Sequence, residues 1–115
     1  MRAADSISQV FAALADPTRR EILTTLSHGP ASVGQVAEPF GISAPAVAQH
    51  LKVLERAGLI TRTVDAQWRR LTLDPEPLDE AEAWIQKQRH IWELRLDSLE
   101  QHLGEMKKTH HDDKD

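Results

Sequence analysis

The chain has 115 residues, 40% of them hydrophobic and 28% charged, which suits one globular domain and leaves no room for a second. With aromatics at only 4% the core must be mostly aliphatic, and with no Cys the sequence excludes a disulfide framework, a thiolate metal site and a cysteine nucleophile. The formal charge of -4 argues against indiscriminate nucleic-acid binding, and the longest uninterrupted apolar run, Val10 to Ala15, cannot span a bilayer, so a soluble, cytoplasmic protein without membrane contact is expected.

Ile7, Val10, Phe11 and Leu14 recur at i, i+3, i+4 and i+7, which predicts an amphipathic first helix with one apolar stripe. Asp16-Pro17 restarts the chain as an N-cap followed by a first-turn proline, so a second helix should run from Pro17 to about Ser27 and bury Ile22, Leu23 and Leu26. His28-Gly29-Pro30 ends it. Ser32 with Gln35 three residues later reads as a capping box for a short third helix that ends near Phe40-Gly41. Ser43 caps a fourth helix, with Pro45 in its first turn, that continues to Ala57 and stops at Gly58. Two short helices meeting at Gly41-Ile42-Ser43 have the spacing of a helix-turn-helix.

Past Gly58 the pattern becomes extended: Leu59 to Val64 and Trp68 to Leu73 flank the polar break Asp65-Ala66-Gln67, which predicts a β-hairpin. Asp74-Pro75-Glu76-Pro77 then opens a long last helix whose acidic first turn complements the helix dipole. Along it Trp92, Leu96, Leu99, Leu103 and Met106 step by four, three, four and three residues, and Ile85 and Leu78 extend the repeat backwards. Such a stripe requires a helical partner. Residues 109–115 hold nothing apolar to bury, so the expected organisation is a single domain over 1–108 and a disordered polar tail.

Charge is spread unevenly. Residues 1–43, 44–72 and 73–115 carry net charges of -1, +3 and -6, so Lys52, Arg56, Arg62, Arg69 and Arg70 form a basic island in an acidic protein. Five cations alone also suit a solvated face; their setting on a helix-turn-helix and hairpin points instead to a local polyanion site. On the fourth helix Leu51 and Leu54 fall within about 40° of Val47 and face inward, while Pro45, Ala48, Gln49, Lys52 and Arg56 cluster opposite. Small residues with one long amide suit close approach in a DNA major groove, where Gln bonds adenine and Ala or Pro meets a thymine methyl. Lys52 and Arg56 suit phosphates. His50, on the edge of the buried face, is expected to bond backbone inside the domain, with a phosphate contact as the second role. Arg62, Arg69 and Arg70 lie near a projecting turn, and Arg69 and Arg70 must face opposite sides of their strand. Trp68 is expected to pack within the hairpin.

Phe11-Ala12-Ala13-Leu14-Ala15-Asp16-Pro17-Thr18-Arg19-Arg20-Glu21-Ile22-Leu23 resembles the opening motif of the ArsR-type winged-helix repressors, and Ala46 to Ile60 resembles their recognition helix and wing entry. The resemblance runs from about Ser6 to Leu103. It implies a mainly α, winged helix-turn-helix fold of about five helices and a two-stranded wing, and a homodimeric repressor bound to an inverted-repeat operator. It further implies that Ser43, Pro45, Ala48 and Gln49 face bases, with the recognition helix spanning Ser43 to Ala57. The dimer interface would form from the first helix (Ile7, Val10, Phe11, Leu14) and the last (Ile85, Trp92, Leu96, Leu99, Leu103).

The chain departs from that family in two places. The stretch Gln35-Val36-Ala37-Glu38-Pro39-Phe40 stands where many members carry a Cys pair, and the last-helix zinc pattern matches at His102 and Glu105 but falls on Arg89 and Ile91 in its first half. No metal or other cofactor is therefore expected, and release from DNA is left to a small-molecule effector near Trp84 and Trp92, a protein partner or loss of expression. Two alternatives stay open: a metal-responsive sensor using His on the last helix, and a protein-interaction module with a degenerate winged helix. Catalysis is not expected, since the chain lacks a Gly-x-Ser-x-Gly elbow, a phosphate-binding Gly-rich loop and a His-Glu-x-x-His motif.

Overall fold

The structure, a computed structural model, describes residues 5–65 and 67–114, the side chains of Asp65, Trp68 and 108–114 excepted. Its contacts divide into two compact units, one ending at Ala81 and one beginning at Glu82. The elements of the first are α1 (Ser6–Leu14), α2 (Pro17–Ser27), β1 (Ala31–Ser32), α3 (Val33–Ala37), a 3-10 turn (Glu38–Phe40), α4 (Ala44–Arg56), β2 (Ile60–Asp65), β3 (Trp68–Leu73) and the opening turns of α5 (Glu76–Lys114).

Each of the first four α-helices begins where a short polar side chain takes up an otherwise unbonded N–H. Asp5 accepts from the Ser8 N–H at 2.8 Å, Asp16 from Arg19 at 3.1 Å, and Ser43 from Ala46 at 3.3 Å. Ser32 and Gln35 complete a reciprocal capping box: the Gln35 N–H donates to Ser32 Oγ, and the Ser32 N–H to Gln35 Oε1. The third helix does not run as one α-helix to Phe40. It gives way to 3-10 geometry at Glu38, because Pro39 offers no N–H to the Gln35 carbonyl and its ring crowds that carbonyl. At the far end of α4, Gly58 at φ 76° closes a Schellman motif, with the Leu59 N–H donating to the Leu54 carbonyl and the Gly58 N–H to that of Glu55. That left-handed residue turns the chain out of α4 and straight into β2. Gly41, at φ 62°, serves likewise in the turn before α4.

Val10, Ile22, Val36, Leu51, Leu54, Leu59 and Leu71 are the largest fully buried side chains, so the core joins α1 to α4 and the sheet, and Ala81 brings in the start of α5. Val10 is 1% exposed. It was expected at a dimer interface, but its burial is complete within the chain and leaves nothing for a partner to cover; Phe11 and Leu14 are only partly buried and Ile7 half-exposed, so these three keep surface to offer. The sheet has three strands, in the order β1-β3-β2 and all antiparallel, where a two-stranded hairpin is predicted. The extra strand is two residues long, pairing Ala31 with Leu71 and Ser32 with Arg70, too short to carry any periodicity of its own.

From Glu82 onward the chain is the remainder of α5. Its helical backbone continues through 109–114, where a disordered tail is predicted: no Gly or Pro follows Gly104 to stop it, although the side chains there lie outside the described residues.

Candidate nucleic-acid interface

The hydrophobic seam of α4 sets what its other side presents. Val47, Leu51 and Leu54 are buried, and Ser43, Pro45, Ala48, Gln49, Lys52 and Arg56 are all exposed, so the expected recognition residues share one open surface. Among the described residues, Gln49, Lys52 and Arg56 find no side-chain hydrogen bond or ion pair, which leaves the amide and both cations available. Ser43 Oγ accepts its capping bond and keeps its own O–H to donate. Ile42, in the turn just before it, is 41% exposed. Sequence reading passed over it because a lone aliphatic in a turn has no periodic partner.

Register decides the directions of the wing. Arg62 pairs with Leu71 and Val64 with Arg69, which puts these four on one face of the hairpin; Thr63 pairs with Arg70 on the other. Leu71 is buried, so Arg69 and Arg62 stand on the side turned toward the domain and Arg70 on the outer side. Arg62 is not free: its Nη2 donates to Glu55 Oε1 of α4 at 2.7 Å, an ion pair about one-third exposed. Glu55 had no expected role. Arg69 and Arg70, both exposed, also line a groove of about 560 Å³ with Pro30, Ala31, Ser32 and Gln35, so the two cations adjoin the start of α3. The side chain of Trp68 and the tip residue Ala66 lie outside the described residues.

His50 is held differently from expectation. Its partner is not backbone but Arg19, whose Nη1 lies 3.3 Å from Nδ1, with Asp16 Oδ2 at 3.9 Å from the same nitrogen. Arginine only donates, so the shorter contact makes Nδ1 an acceptor and puts the ring proton on Nε2. Asp16 is occupied as the cap of α2. The backbone N–H of Arg19 that it accepts holds its carboxyl below the usual carboxylate range; partial desolvation opposes this, and the Arg19 guanidinium adds its charge.

In the second unit Trp92, Leu96, Leu99 and Leu103 remain exposed at 57, 37, 51 and 50%, and Ile85 and Met106 stand open with them. Trp84, Ile91 and Leu94 are exposed on other sides of the same helix. Among the described residues no three His, Asp or Glu side chains gather around a shared point, and no helix is long and apolar enough to cross a membrane.

A helix-turn-helix domain model matches residues 14–63, which run from the end of α1 into β2. The HTH-type transcriptional regulator Rv2034 of Mycobacterium tuberculosis is 45% identical over 73 residues, covering 64% of this chain and 68% of the relative. The transcriptional repressor SdpR of Bacillus subtilis is 35% identical over 79 residues, 69% of this chain and 88% of SdpR. Among solved structures, the ArsR family transcriptional regulator RHA00566 superposes with a TM-score of 0.74 at 38% identity, covering 77% of this chain and 98% of that one. With a winged helix-turn-helix fold and relatives of which it covers from two thirds to nearly the whole length, the chain belongs to the ArsR family of helix-turn-helix transcriptional regulators.

Proposed function

We propose that the protein acts as a homodimeric repressor, without catalysis of its own, which places α4 in the major groove of an inverted-repeat operator on double-stranded DNA in the cytoplasm. The observation that carries this is the open face of α4, where Gln49 stands exposed beside Ala48 and Lys52 while the opposite face is sealed in the core. Gln49 reads an adenine edge, Pro45 and Ala48 lie against bases with Ser43, and Lys52 and Arg56 hold phosphates. Arg69 and Arg70 extend the contact to the neighbouring backbone, and Arg62 joins them when it leaves Glu55. Repression, as the direction of control, draws on SdpR, which is named a repressor.

The exposed stripe of α5 supports the dimer. Trp92, Leu96, Leu99 and Leu103, with Ile85, supply an apolar surface that one chain leaves in water, and Ile7, Phe11 and Leu14 add the open edge of α1. Two-fold symmetry then requires half-sites about one helical turn, roughly 34 to 36 Å, apart. No cofactor or metal takes part in this reading, and release of DNA falls to a small molecule near Trp84 and Trp92, a protein partner or loss of expression.

Selecting duplexes from a random library with the purified protein tests the proposal. The enriched sequences should form an imperfect palindrome, and Gln49→Ala should cost about 1 to 3 kcal/mol and relax preference at one base position of each half-site. Unchanged base preferences in Gln49→Ala would remove α4 from the base-reading role.

A further inference from the structure

Arg19 sits on the third residue of α2 and reaches two other helices. Its Nε donates to the Ala13 carbonyl at 2.7 Å and its Nη2 to the Ala12 carbonyl at 2.9 Å, both at the end of α1, while Nη1 meets His50 Nδ1 on α4 at 3.3 Å. Both carbonyls lie in the last turn of α1, where no i+4 N–H follows to bond them; Ala12 accepts in addition only the Ala15 N–H at 3.3 Å, and the neighbouring Arg20 takes the next carbonyl, Leu14, at 2.7 Å. Arg19 does more, because its planar fork has a further N–H that points at α4. Its own backbone is fixed by the Asp16 cap, so the guanidinium is anchored at its root and along two edges.

His50 directly follows Gln49 and lies near the middle of α4, a helix of 13 residues and so about 20 Å long. Apolar packing of Val47, Leu51 and Leu54 resists separation of α4 from the core but resists rotation about the helix axis only weakly, since dispersion and burial have no direction. The Arg19 contact supplies direction. A rotation of about 10° about the axis would carry a side chain at the helix surface, about 5 to 6 Å out, by about 1 Å, enough to break a bidentate base contact.

We infer that Arg19 is a positioning residue for DNA recognition: through His50 it holds α4 at one orientation against the carboxyl end of α1, so that Gln49 meets base edges in register. This rests on the reading of α4 as the base-contacting helix. Phosphate-driven, non-specific binding tolerates a small rotation, whereas base readout does not, so loss of the contact should lower selectivity and leave general DNA affinity in place.

The test uses the intact protein with two duplexes, one enriched by the wild type from a random library and a scrambled duplex of the same composition. His50→Leu cuts the link to α4 and leaves both Arg19 bonds to α1, which an Arg19 variant would alter as well; circular dichroism and sedimentation confirm folding and assembly for each protein. In His50→Leu the affinity for the enriched duplex should fall about tenfold while that for the scrambled duplex stays within twofold. His50→Gln, whose amide oxygen can accept from Arg19, should restore most of the loss, and Arg19→Lys combined with His50→Leu should be no worse than the worse single variant, as expected of two residues acting as one unit. A wild type that does not prefer the enriched duplex would overturn the base-reading role of α4 and this inference with it. A wild-type preference that persists at full strength in His50→Leu, or losses that add in the double variant, would overturn the positioning role alone.

Discussion

Truncating Leu99 to Ala should weaken the dimer, and the size of the effect follows from how much of the side chain one copy leaves in water. Leu99 is 51% exposed and Leu103 50%. Complete burial of a Leu side chain contributes about 1.5 to 3 kcal/mol, so covering the exposed half of Leu99 contributes about 0.8 to 1.5 kcal/mol per protomer. A two-fold interface counts the change twice. Leu99→Ala should therefore cost about 1.5 to 3 kcal/mol of association, or about 10- to 150-fold in dimer Kd. Leu94 is the control: it is 55% exposed, but lies about 140° around the helix from Leu99 and off the stripe. Sedimentation equilibrium over a dilution series would give a dimeric wild type at micromolar protein, a marked shift to monomer in Leu99→Ala and little change in Leu94→Ala. Equal shifts in the two variants, or a wild type that stays monomeric throughout, would refute the assignment of the stripe to the interface.

Glu55→Gln should release Arg62 without unfolding anything, because an ion pair this exposed contributes at most about 1 kcal/mol; DNA titrations at several salt concentrations should show a steeper salt dependence, by about one unit for a gained phosphate contact. Gly58→Ala should lower the melting temperature by placing a side chain at φ 76°, a backbone cost of about 1 to 2 kcal/mol, while the added Cβ meets only Pro77 at an ordinary 3.5 Å. Asp16 has a carboxyl pKa lowered by folding, so its stabilisation is complete above the ordinary carboxylate value and is lost as pH falls through the lowered one. Thermal melts at descending pH should show this acid-side loss, and Asp16→Asn, which keeps a capping oxygen, should flatten it. Calorimetry with zinc, cobalt, nickel and copper should show no tight binding that alters operator affinity, since His102 and Glu105 supply only two ligands from one helical turn.

Sequence by itself determined the elements whose causes are local. Caps at Asp16, Ser32 and Ser43, the stop at Gly58 and the Val47, Leu51, Leu54 seam each depend on residues within about one or two turns, and the helices begin, end and face as those residues dictate. The same seam made the outward face of α4 legible, because what is sealed inward fixes what is left outward. Only the tertiary structure decided what depends on residues distant in the chain. Strand β1 exists because Ala31 and Ser32 meet Leu71 and Arg70, and Val10 belongs to the core because α2 and α4 pack against α1. The roles of Arg19, Glu55 and Arg62 were equally hidden. A guanidinium that reaches from α2 to both α1 and His50, or from β2 back to α4, leaves no periodic trace in the sequence, since such a side chain finds its partner only after packing has brought the helices within its reach.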